Sequence, residues 1–251
     1  MLTWPKILVV VAGAVLLALM AFVRWSRAGP GGDPFTGFLW IVLRINARIM
    51  HRTTFAGRQH VPPTNAPGGL VVVSNHTGPI DPLLLQAACR FEIRWMMAEA
   101  LMFPALDWLW KRHRMIPVAR DGRDTGPLRE AIRHVKAGGA IGVFPEGAIV
   151  QPRCEIRPFH EGVGLIISRT RAPVLLVWVS GTPESPHMGV AIKTRSRSSV
   201  VFLDKIEFDK SVDAATITRT LRERITKASG WPVNDDPLVP PQRDADGAVV
   251  E

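Results

Sequence analysis

The sequence predicts an α/β layered fold, with a mixed central sheet flanked by helices, set behind an N-terminal membrane helix. Three observations carry this. Short apolar runs at 70–73, 140–144 and 172–180 alternate with stretches of helical periodicity. One of them, Leu70-Val71-Val72-Val73, runs straight into Ser74-Asn75-His76, turns through Thr77-Gly78-Pro79, and re-enters a leucine-rich segment opened by Asp81-Pro82. Residues 7–23 form an unbroken apolar or small-residue stretch near the amino end.

That stretch follows Lys6 and is closed by Arg24 and Arg27. A secretory signal peptide is the competing reading, but no small-x-small cleavage site ends the run and arginines follow at once. Positive charge is heavier on the carboxyl side, where Arg44, Arg48 and Arg52 join Arg24 and Arg27. The positive-inside rule then expects a single anchor in the cell membrane with the body of the protein in the cytoplasm. Beyond a Gly-Pro-rich linker at 29–34, Phe38, Ile41, Val42, Ile45 and Ile49 recur at helical spacing beside arginines four apart. This reads equally as a helix lying in the headgroup layer or as one packed on the domain.

Residues 55–69 are rich in turn formers. Four apolar residues bounded by Gly69 and Ser74 predict a buried strand, and Asp81-Pro82 predicts the N-cap and first position of a helix to about residue 90. Residues 91–97 alternate weakly, as a strand would. Residues 101–110, rich in Phe, Leu and Trp, predict a helix whose Trp108 and Trp110 suit either a membrane interface or a core. A short strand at 114–120 carries Arg120 at its end. Residues 127–137 make an amphipathic helix with Leu128, Ala131, Ile132 and Val135 on the buried side, ended by Gly138-Gly139. The strand 140–144 ends in the turn Pro145-Glu146-Gly147. A helix opens near Gly162, a strand spans 172–180, further strands fall at 190–194 and 200–208, and Asp213 caps a last helix through residue 228.

Residues 231–251, with four prolines and five acids, predict a disordered tail. The chain thus divides into an anchor (1–28), a linker and surface helix (29–53), a folded domain (54–230) and the tail.

A net charge of +9 favours anionic partners. No motif points to nucleic acid, so an anionic membrane is the expected one. The two cysteines, Cys89 and Cys154, make neither a disulfide framework nor a zinc spacing, and no metal or bound cofactor is expected.

His76 falls at the carboxyl end of a strand, where ligands bind in open α/β sheets. A base-and-orienter reading follows, with His76 taking a proton and Asp81 fixing its tautomer. Contact between them requires the Gly78-Pro79 turn, since five residues along a regular helix would part the side chains. In isolation the pair also reads as a capping aspartate and an ordinary strand-end histidine.

Four pieces then stand in one order: Asn75-His76-Thr77-Gly78-Pro79-Ile80-Asp81, Ile116-Pro117-Val118-Ala119-Arg120, Phe144-Pro145-Glu146-Gly147 and Ala172-Pro173-Val174. This pattern, over about residues 55–208, resembles the lysophosphatidate acyltransferase family of glycerolipid acyltransferases. The resemblance implies a single layered acyltransferase domain over 54–230. It implies direct transfer of a fatty acyl group from a thioester, acyl-CoA or acyl-ACP (acyl carrier protein), to a lysolipid hydroxyl. The acceptor it points to is 1-acylglycerol-3-phosphate, giving phosphatidic acid in phospholipid biosynthesis. His76 would be the base and Asp81 its orienter, with Asn75 and Pro145 as motif support. Arg120, Glu146 and Gly147 would bind the acceptor, although Glu146 also suits a structural turn acid and Arg120 a solvated strand end. No Gly-x-Ser-x-Gly elbow offers a covalent nucleophile.

Two departures bear on the acceptor. The family usually continues Thr-Arg-Ser after Pro-Glu-Gly, where this chain has Ala148-Ile149-Val150. It tends to place lysine before a glycine where this chain has His160-Glu161-Gly162. Arg153 or Arg157 is the expected substitute. Another lysolipid, of the lyso-ornithine type for example, or a non-catalytic lipid-binding role are the alternatives.

Overall fold

The computed structural model describes residues 4–27, 29–102, 104–119, 125–151, 153–185, 187–236, 238, 242–243 and 249–250. Its main sheet has seven strands: β1 (Thr54–Ala56), β2 (Leu70–Ser74), β3 (Ile93–Ala98), β4 (Ile116–Val118), β5 (Ala140–Val143), β6 (Val174–Ser180) and β7 (Ser199–Ile206). Their order is β1-β7-β6-β2-β5-β3-β4. All neighbours are parallel except β6 and β7, so the sheet is mixed.

β2 is the central strand, and all five of its residues are buried. A parallel strand covered on both faces reads as a continuous apolar run, which is why no alternation appears in Leu70-Val71-Val72-Val73. Leu70 and Val72 join one core with Leu84, Leu85, Phe91 and Phe202; Val71 and Val73 join the other with Ile141, Ile166, Ile217 and Leu221. Helices α2 (Pro34–Ile49) and α3 (Asp81–Ala88) cover the first face. The second is covered by α5 (Gly126–Lys136), α6 (Gly162–Thr170) and α8 (Ala214–Ser229). Asp213 caps α8, its Oδ1 accepting from Thr216 N at 2.7 Å.

Helix α1 (Trp4–Arg27) stands apart from these cores. It is long and apolar enough to cross a membrane, with a mean hydropathy of 2.7 over an 18-residue window, none of it buried. Its 24 residues extend about 36 Å at 1.5 Å per residue. In α2, Asp33 Oδ1 accepts from Phe35 N and Thr36 N to cap the start. Trp40, Ile41 and Ala47 are buried there, while Phe38, Val42, Ile45 and Ile49 are exposed. Most of the expected stripe therefore faces outward.

Several expectations are corrected. Residues 190–194 are not a strand: Met188–Ala191 is a short helix, α7, with Val190 exposed and Ala191 buried. A brief apolar run does not separate helix from strand by pattern alone. The expected helix at 101–110 is broken into 3₁₀ turns at Glu99–Leu101 and Pro104–Leu106 and a short α4 (Asp107–Arg112), because Pro104 cannot continue a helix. Edge strand β1 lies where only the start of a turn-rich approach was expected. The start of the expected tail is docked. Trp231 packs edge-on against Trp178 at 5.8 Å, Val233 bridges Ile156, and Asp235 pairs with Arg222 at 2.7 Å. Further on, β8 (Gln242–Arg243) pairs with β9 (Val249–Val250).

Candidate active site

The site is built where β2 ends. Asn75 is buried, and its amide joins β2 to β6: Nδ2 donates to Val179 O at 2.9 Å and Oδ1 accepts from Val179 N at 2.8 Å. The next residue, His76, is held by its backbone from the loop after β5. Its N–H donates to Glu146 Oε2 at 2.8 Å, and its carbonyl accepts from Val150 N at 3.0 Å.

The chain then turns back on itself, closed by Asp81 N donating to Gly78 O at 3.1 Å. Asp81 opens α3 but does not cap it. Ile80 occupies the cap position, and the Asp81 carboxylate points back into the turn. There Oδ2 accepts from Thr77 N at 2.7 Å, Gly78 N at 3.0 Å and His76 Nδ1 at 3.0 Å. Asp81 is fully buried, whereas the His76 side chain keeps 17% of its exposure. An ionised carboxylate only accepts, so the ring proton sits on Nδ1 and Nε2 is left as an acceptor. Such an imidazole can take a proton from a hydroxyl and, once charged, is steadied by the carboxylate behind it.

A second layer reaches the same turn from β6. Arg153 Nη2 donates to Thr182 Oγ1 at 2.9 Å and to its carbonyl at 2.7 Å, and Thr182 Oγ1 lies 2.9 Å from Thr77 Oγ1. Thr77 O–H donates at 3.4 Å toward both Asp81 oxygens, which leaves Thr77 Oγ1 to accept from Thr182 O–H.

The expected acceptor residues divide. Arg120 lies outside the described residues. Glu146 has the geometry of the structural turn acid: it is 1% exposed, and its oxygens accept from His76 N and, at 3.3 Å, from Arg157 N. Burial pushes its carboxyl up to about 7, the two amides pull it down, and the charge of Asp81 adds to the rise. Arg157 is likewise turned inward. It is 7% exposed and already donates to Gln151 O and Asp236 O, beside Glu155. Arg153 is engaged by Thr182, with Glu184 at 3.3 Å. Gly147 closes the turn at φ +77°, where a Cβ would meet the His160 ring at 2.7 Å, and Pro145 O accepts from His160 N at 2.8 Å.

Cys89 is buried and its thiol pushed up to about 12, which leaves it inert as a nucleophile. Among the described residues no cluster of three or more His, Cys, Asp or Glu side chains is placed to hold a metal. Sequence reasoning gave no role to Thr182, which no local signal marks, or to Phe144, the first residue of the Phe-Pro-Glu-Gly motif, whose ring stacks on His76.

Comparison with known proteins gives three findings. The family described as Acyltransferase matches residues 52–180. An N-acylphosphatidylethanolamine synthase from Arabidopsis thaliana is 28% identical over 119 residues, 43% of this chain and 42% of the relative. The aligned region thus spans under half the length of that curated relative. In fold, the chain is similar to the crystal structure of the 1-acyl-sn-glycerophosphate (LPA) acyltransferase PlsC from Thermotoga maritima. The TM-score is 0.62 at 20% identity, covering 77% of this chain and 79% of the other.

Proposed function

The chain belongs to the acyltransferase family, and on that premise we propose that it moves a fatty acyl group from a thioester to the free hydroxyl of a lysoglycerolipid at a membrane. The observation that carries this reading is the 3.0 Å contact of His76 Nδ1 with the buried Asp81 carboxylate, which leaves Nε2 to receive a proton. As the acceptor oxygen attacks the thioester carbon, its proton passes to Nε2 and the C–O bond forms. When the tetrahedral intermediate collapses, the C–S bond breaks and the same imidazolium returns the proton to the leaving thiolate. Asp81 holds the ring and offsets its transient charge. The donor is acyl-CoA or acyl-ACP, free of any group resident on the enzyme.

The acceptor we favour is lysophosphatidic acid, giving phosphatidic acid for phospholipid synthesis. A second reading, another lysolipid acceptor, draws support from Ala148-Ile149 in the loop and from Arg157 being spent on backbone carbonyls. The exposed apolar α1 and the outward side chains of α2 support anchoring in an anionic membrane. The arginines in the last turn of α1, Arg24 and Arg27, support a cytoplasmic domain.

One assay tests the proposal. Membranes carrying wild type or His76→Ala are offered acyl-CoA and acyl-ACP with a panel of lysolipids, and products are read by mass spectrometry. Wild type should acylate one lysolipid class and the variant none. Near-wild-type turnover by His76→Ala ends the proposal, and the preferred acceptor decides between the two readings.

A further inference from the structure

Three aromatic rings lie with nearly parallel planes: His76 and Phe144, just past the ends of β2 and β5, and Trp95 within β3. His76 and Phe144 are 4.0 Å apart between centroids with their planes 13° from parallel. Phe144 and Trp95 follow at 4.9 Å and 11°. The stack depends on a missing side chain. Trp95 pairs in register with Gly142, and a Cβ there would sit 2.3 Å from the indole ring. Trp95 is 7% exposed, so the stack is a built wall on one side of the imidazole. Nothing in the proton transfer described above uses it.

A flat stack gains when one ring is positively charged, because the π face is negative. At His76 that charge exists only while the ring holds the acceptor's proton. A contact better in that state than at rest speeds the step and leaves substrate binding alone. The flat wall also limits swing of the ring about its single hydrogen bond at Nδ1.

We propose that Phe144, backed by Trp95 over Gly142, is a positioning residue whose ring face holds the His76 imidazole in plane and stabilises it while charged. The inference rests on the acyl-transfer reading.

The test uses the full chain purified in detergent, with kcat and KM for donor and acceptor. Phe144→Leu keeps apolar bulk without a π face. It should lower kcat about tenfold, roughly 1.4 kcal/mol of barrier, with both KM values within about twofold. Phe144→Tyr should restore kcat to within about threefold of wild type. Mono-, di- and trifluorinated phenylalanine at 144 preserve shape while draining the ring face, and should lower kcat stepwise. A flat fluorine series, a Leu variant with wild-type kcat, or a loss carried by KM overturns the inference. A wild type that transfers no acyl group, or an active His76→Ala, would instead sink the reading beneath it. Active wild type, inert His76→Ala and a flat fluorine series reject the stack alone.

Discussion

Replacing Glu146 with Gln tests whether the loop that holds His76 is built around a buried charge. In the folded protein burial raises this carboxyl from an ordinary 4.5 to about 7. Between those values the folded chain holds a proton that the unfolded chain has released. Raising the pH through that window therefore weakens folding, and the penalty is complete above about 7. The shift corresponds to about 3 kcal/mol. Glutamine cannot ionise, so the variant should lack this slope. It loses an acceptor for one of the two amides now served, His76 N or Arg157 N, at about 1–3 kcal/mol in a buried site. At pH 5 the variant should thus melt at or below the wild-type temperature, and at pH 8 the gap should close or reverse. For a chain of this size 3 kcal/mol is roughly 6–12 °C. Circular-dichroism melts of both proteins at pH 5, 6, 7 and 8 read the difference, which cancels groups common to both. Parallel curves across that range would refute a buried, raised carboxyl at 146.

Asp81→Asn should leave the turn largely formed, since an amide oxygen still accepts from Thr77 and Gly78, but it invites the imidazole to flip its tautomer. kcat should fall on the order of 10⁴-fold, and a loss under tenfold in acyl-transfer assays would remove Asp81 as orienter. Ending the chain at Gly230 removes the Trp231–Trp178 contact, the Asp235 partner of Arg222 and the Asp236 carbonyl that Arg157 bonds. Thermal melts should show roughly 2–4 kcal/mol of lost stability, and unchanged melting would show that the docked segment carries none.

What the sequence legibly held was local. The run Leu70–Val73, the strand-end position of His76 and the start of the next helix all follow from neighbours within a few residues. So do the periodic helices α5 and α8. The Phe144-Pro145-Glu146-Gly147 turn was legible for the same reason, since Pro and Gly restrict or free φ wherever they occur. Arg120 stands apart, because the structure does not describe it. Asp81 marks the limit of this kind of reading. Asp-Pro before a leucine-rich segment signals a cap, yet the carboxylate turns back to gather Thr77 N, Gly78 N and His76 Nδ1, an alternative satisfied only once the turn has closed.

The rest was decided by tertiary structure. Glu146 meets His76 N across 70 residues and Thr182 meets Thr77 across 105. Both contacts exist because β5 and β6 flank β2, an order no periodicity encodes. Glu146 offers two acceptors wherever it is placed. Only burial beside the amides of His76 and Arg157 turned its carboxylate toward that backbone. Arg157 turns inward in the same way, toward the carbonyls of Gln151 and Asp236. Apolar patterning acts over one or two turns of chain and so can be read in order. The pairing of buried polar groups depends on which strands lie side by side, and that is settled only when the two cores close on either face of the sheet.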